Sequence, residues 1–112
     1  MGNKGILSAL STYEAEDLLH YCLGPDGEVV PGLHFLDELR KEELEIPDVW
    51  LILRTGHVFS PPELDTRTGE WKYKVEGHET GGKYIVIVFS FKEIDQAFLI
   101  TVFSIEPKRR EP

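Results

Sequence analysis

Residues 84–91 and 98–105 are apolar at odd and even positions alike, and the polar connection Lys92-Glu93-Ile94-Asp95-Gln96 lies between them. A strand with one wet face alternates apolar and polar residues; one that is apolar on both sides is covered on both sides. The two runs therefore define interior strands joined by a polar hairpin loop, and the rest of the chain has to be arranged around them. Just upstream, Trp71, Tyr73 and Val75 alternate with Lys72, Lys74 and Glu76, which reads as a third strand with one face in water. Thr80-Gly81-Gly82 supplies the turn between them. Val58-Phe59 reads as a short edge strand, which Pro61-Pro62 keeps from extending.

Before residue 57 the apolar spacing is helical. Ser11 and Glu14 have the spacing of a capping box, and Ala15, Leu18, Leu19, Cys22 and Leu23 follow on one stripe, so a helix is expected over 12–23, stopped by Gly24-Pro25. Pro25-Asp26-Gly27 and Pro31-Gly32 read as the ends of a short link. A second helix is expected over 33–44, burying Phe35, Leu36 and Leu39. Pro47 suits the first turn of a third helix, Asp48 complements its positive end, and Val49, Trp50, Ile52 and Leu53 form its buried side as far as Gly56. The expected architecture is one α+β domain over 1–112: two to three N-terminal helices packed on a three- to four-stranded antiparallel β-meander. Residues 1–32 form a helical extension, 33–107 the α+β core and 108–112 a frayed tail.

The 112 residues are 41% hydrophobic and 11% aromatic, enough for one core without metals or disulfides. Cys22 is the single cysteine, so no intramolecular disulfide forms, and a reducing compartment is expected. No apolar run approaches the roughly 20 residues that span a bilayer, and residues 1–7 do not read as a signal peptide. A cytoplasmic protein with no membrane association is the expectation. Net charge is −8. Residues 1–56 hold four Lys/Arg against eleven Asp/Glu, and residues 57–112 eight against nine, so the acid belongs to the helical half. Proteins that live by phosphate contacts usually carry a basic patch, and this balance disfavours RNA as the partner.

Four histidines, His20, His34, His57 and His78, show no metal-ligand spacing, so neither a metal nor a cofactor is expected. Cys22 sits on the apolar side of its helix near the C-terminal end, where the dipole does not stabilise a thiolate, and reads as a buried structural thiol. Gly77, Gly81 and Gly82 precede a strand and lack the helix N-terminus that holds phosphate. The group most open to chemistry is Arg54, His57, Lys72, Lys74 and His78. Lys72, Lys74 and His78 fall on one strand face by parity, with Glu76 between them. This makes Lys72, Lys74 and His78 the candidates for proton transfer, and Arg54, His57, Lys72 and Lys74 those for anion or nucleic-acid contact. The same row equally suits a solvated strand face. Lys108-Arg109-Arg110 is a second basic spot.

Several segments taken together resemble a bacterial domain-of-unknown-function family related to the RelE/ParE toxin-like fold. They are His34-Phe35-Leu36-Asp37-Glu38-Leu39-Arg40, Ile46-Pro47-Asp48-Val49, Leu53-Arg54-Thr55-Gly56, Trp71-Lys72-Tyr73-Lys74-Val75-Glu76-Gly77 and Ile100-Thr101-Val102-Phe103. The resemblance covers about residues 34–107. It implies helices packed on one side of a small antiparallel sheet, and relatives that are ribonucleases or gyrase poisons paired with antitoxins. Such nucleases use basic and aromatic side chains on the sheet. This chain departs from them in being acidic, and Phe103 closes the Thr-Val-aromatic segment without a tyrosine hydroxyl. The N-terminal helix lies outside the resemblance and is expected to cover the surface an antitoxin would occupy. Together these points favour a non-catalytic interaction module with a protein partner, antitoxin-like or other. The alternative is an RNA-cleaving or RNA-binding toxin-type domain.

Overall fold

The computed structural model describes residues 8–105. Helix α1 (Thr12–Cys22) is followed by strand β1 (Glu28–Pro31), helices α2 (Leu33–Lys41) and α3 (Ile46–Thr55), and strands β2 (Glu63–Asp65), β3 (Glu70–His78), β4 (Tyr84–Glu93) and β5 (Gln96–Ile105).

Local chemistry sets the helix ends. Glu14 N–H donates to Ser11 Oγ at 3.0 Å while Glu14 Oε1 accepts from Ser11 N–H at 2.8 Å, the reciprocal capping box that opens α1. Asp48 Oδ2 accepts the Glu45 N–H at 2.9 Å at the start of α3, with Pro47 in its first turn. The end of α2 comes earlier than the apolar stripe suggests. Leu44 N–H donates to Leu39 C=O and Glu43 N–H to Arg40 C=O, the paired bonds of a Schellman motif. The left-handed residue in that motif is Glu43, at φ 58°. Leu44 is thereby folded back into the core beside Leu39.

The sheet order is β1-β5-β4-β3-β2. The β3–β4 and β4–β5 pairs are antiparallel as expected, with Val75 opposite Ile87 and Ile87 opposite Val102. Two expectations need correction. The sheet is mixed and five-stranded, because residues 28–31 form a strand that pairs parallel with β5, Val29 lying opposite Ala97. The edge strand beside β3 is Glu63–Asp65, after the proline pair, whereas residues 57–59 contribute one isolated bridge, His57 opposite Glu76.

All three helices lie on one side. Their buried residues, among them Ala15, Leu19, Cys22, Phe35, Leu39, Ile52 and Leu53, join Tyr73, Val75, Ile85, Ile87, Phe89, Phe91, Leu99 and Val102 in a single core. Tyr73, Phe89 and Phe91 form a ring cluster with centroids 5.4–5.7 Å apart. Each fully buried side chain of this size contributes about 1.5–3 kcal/mol relative to exposure. Helix α2 packs on β5, α3 on β3, and α1 against both α3 and β5. The expected tail at 108–112 and the basic spot at Lys108-Arg109-Arg110 lie outside the described residues.

Candidate functional site

Side chains alternate across a strand, so the residues between the core positions of β3, β4 and β5 share the sheet face turned away from the helices. Read across the sheet, that face carries Glu70 and Lys92, then Lys72, Ser90 and Phe98, then Lys74, Val88 and Thr101. Glu76, Val86 and Phe103 follow, and His78, Tyr84 and Ile105 complete it. Glu63 and Asp65 of β2 extend it on the β3 side. The parity argument therefore holds for Lys72, Lys74 and His78, which stand in one row on β3.

The face is not the wet surface that the sequence implied. Glu76 is 1% exposed, Tyr84 and Val86 are buried beside it, and Ser90 is buried further along the face. Tyr84 Oη donates to Glu76 Oε1 at 3.1 Å, and the His78 ring stands edge-on to Tyr84 with centroids 4.9 Å apart. A carboxylate, a phenol and an imidazole thus follow one another along adjacent strands. The Ser90 hydroxyl has no hydrogen-bond partner.

The lysines are largely neutralised where they stand. Lys72 Nζ lies 3.4 Å from Asp65 Oδ2. The Asp65 carboxyl is held below the usual carboxylate range, first by the Arg67 backbone N–H and further by the Arg67 and Lys72 side chains. Lys92 Nζ is bonded to both oxygens of Glu70 at 2.9–3.0 Å and lies 5.0 Å over the centroid of Phe98. Among the described residues, Lys74 forms no ion pair. Among the described residues, three lysines thus share the face with four carboxylates, Glu63, Asp65, Glu70 and Glu76.

Arg54 and His57 do not join this row. Arg54 is exposed in the last turn of α3. His57 touches β3 only through its backbone, exchanging two N–H···O=C bonds of 3.0 Å with Glu76. Gly56 makes this approach feasible, because a Cβ there would sit 2.6 Å from Ile52 C=O and 2.7 Å from Glu76 C=O. The His57 ring turns instead to α1, where Nδ1 lies 3.2 Å from Glu16 Oε2, and Glu16 Oε1 accepts the Val58 N–H at 3.0 Å.

Cys22 is buried with its Sγ 3.9 Å from Ile94 C=O. Burial, with the negative charge of Asp95 adding to it, pushes the thiol up to about 11, the opposite of what a nucleophile needs. Among the described residues, no group of three or more His, Cys, Asp or Glu is placed to hold a metal ion, and no helix is long and apolar enough to cross a membrane.

Sequence reasoning missed Tyr84 and Ser90 because both sit inside an apolar run that reads as pure core. It missed Glu16 because a helix-surface glutamate carries no local signal of a partner 41 residues away. Comparison with known proteins found no matching family model and no significantly similar curated protein or solved structure.

Proposed function

We propose that this chain is a non-catalytic interaction module on a toxin-like α+β fold, acting by binding a protein partner. The observation that carries the reading is the charge arrangement of the open sheet face. The lysines that would have contacted phosphate are matched by carboxylates of β2 and β3, with Lys92 and Lys72 engaged directly. Cations paired with neighbouring carboxylates are not the composition of an electrostatic groove for a polyanion. The resemblance to the toxin-like family implies helices on one side of the sheet, as here, and an all-antiparallel sheet, unlike the parallel β1–β5 pair here, and a fold fixes no activity.

A second reading, an RNA-cleaving or RNA-binding toxin-type domain, draws on a specific feature: the row of Lys74, Glu76, His78 and Tyr84. It places a cation without an ion pair beside a bonded carboxylate–phenol pair and an imidazole. The two readings part in one experiment. Purified protein is incubated with a mixed RNA substrate, with and without ribosomes, beside the Lys72→Ala/Lys74→Ala double variant, and RNA binding is followed as salt is raised. The interaction reading expects no cleavage and no binding that falls steeply with salt. Cleavage by the wild type that the double variant loses would replace it with the toxin-type reading.

A further inference from the structure

The segment that leaves α3 at Gly56 runs beside the first two turns of α1, and the two enclose a surface cleft of about 470 Å³ lined by Thr12, Tyr13, Glu16, His57, Val58 and Phe59. Its parts are unusual in combination. Tyr13 is 84% exposed and Phe59 62% exposed, so two large aromatic side chains are left in water at one site. A single exposed aromatic needs no explanation, but two lining the same cleft do. The same lining holds a tethered carboxylate. Each oxygen of Glu16 has its own partner, the Val58 N–H at 3.0 Å and His57 Nδ1 at 3.2 Å. The His57 ring also stands 5.7 Å from Phe59, which orders that side of the cleft. Among the described residues, no lysine or arginine lines it.

Aromatic faces attract cations through the ring quadrupole, and a preorganised carboxylate beside them adds a charged acceptor. Arginine suits such a place better than lysine, because its planar guanidinium stacks on a ring while donating to a carboxylate. We propose that this cleft binds a basic side chain, arginine foremost, presented by a protein partner. The inference rests on the interaction reading and gives that reading a site and a partner chemistry. The wider charge is complementary: residues 1–56, which contribute Thr12, Tyr13 and Glu16 to the cleft, carry a net charge of −7.

The test uses the full chain, ¹⁵N-labelled, titrated with an acetylated, amidated peptide of three Gly-Arg repeats and, separately, with its citrulline counterpart. Citrulline keeps the shape of arginine and removes the charge. Saturable shifts centred on Tyr13, Glu16, His57, Val58 and Phe59 are expected for the arginine peptide and not for the citrulline one. Tyr13→Ala and Phe59→Ala should each weaken binding about two- to fivefold, the fold-change of an exposed cation–π contact. Glu16→Gln, whose amide oxygen still accepts from Val58 N–H, should weaken it at least as much. Tyr21→Ala, at an exposed aromatic elsewhere on α1, should leave it unchanged. Shifts absent from the cleft would overturn the proposal. So would equal binding of the citrulline peptide, or wild-type affinity in both aromatic variants. Any of these, with RNA left uncleaved, would move the partner's docking site elsewhere and leave the interaction reading standing. RNA cleavage would remove the reading itself.

Discussion

Ser90→Ala tests the most anomalous atom of the sheet. The side chain is 0% exposed, and its Oγ has no hydrogen-bond partner. It lies on the open face beside Phe98, with Phe89 and Phe91 of the same strand turned to the core. A hydroxyl taken out of water without a partner costs about 1–3 kcal/mol by mutational measure. Alanine removes that cost and gives up one small atom of packing, about 0.5–1 kcal/mol. The expected balance is a stabilisation of about 1 kcal/mol, or a rise in Tm of about 4 °C for a domain of this size. Urea unfolding followed by tryptophan fluorescence, with calorimetry at the same pH, measures both quantities. The slope against denaturant should not change, since the surface exposed on unfolding is the same. A loss of 0.5 kcal/mol or more would refute the reasoning, because it would mean that the hydroxyl has a partner in solution. A gain in stability accompanied by weaker partner binding would place Ser90 among the groups kept for function at the expense of stability.

Glu43→Gly should also stabilise, by about 0.5–1 kcal/mol, since it removes the cost of holding a side-chain-bearing residue at φ 58° in the Schellman turn after α2. A urea midpoint that stays put or falls would count against that account. Cys22 should resist iodoacetamide in the native state at pH 8 and react readily in urea, because its thiol is pushed up to about 11 by burial. Since the folded state holds the proton more tightly than the unfolded chain, the stability from this group is complete below pH 9.0. It is lost as pH rises from there through about 11. Rapid native alkylation at pH 8 would contradict the burial.

The sequence made the helices and the central hairpin legible because their signals are local. Ser11 with Glu14, Pro47 with Asp48, and the doubly apolar runs each report on their own neighbourhood. The two outer strands left no such mark. Residues 28–31 offer only Val29-Val30 between turn residues, and their pairing with β5 depends on a partner nearly seventy positions further on. The Glu63–Asp65 strand is three residues long and two of them are acidic, so neither length nor alternation announces it. The same limit applies to the site. Parity placed Lys72, Lys74, Glu76 and His78 on one face, since that needs only the period of a strand. Their charge state did not follow, because Asp65 reaches Lys72 only once β2 is in register with β3. The burial of Glu76 likewise requires Tyr84 to be brought opposite His78.

Helix α1 ties these features together. Its inner stripe, Ala15, Leu19 and Cys22, is fully consumed by α3 and β5, so the helix is part of the core and not an appendage to it. Its outward residues include Tyr13, Glu14, Glu16 and Asp17, and Glu16 is tied by hydrogen bonds to the chain beyond α3. The element that falls outside the toxin-like resemblance therefore completes the core with one face and concentrates acid and aromatic surface on the other. On the described part of the sheet, by contrast, Lys72 and Lys92 are matched by neighbouring carboxylates. Long-range attraction follows unmatched charge, so a basic partner of the kind proposed would be steered first to the helical side. That order of encounter is opposite to the one expected of a sheet-based ribonuclease, whose substrate is drawn to the strands.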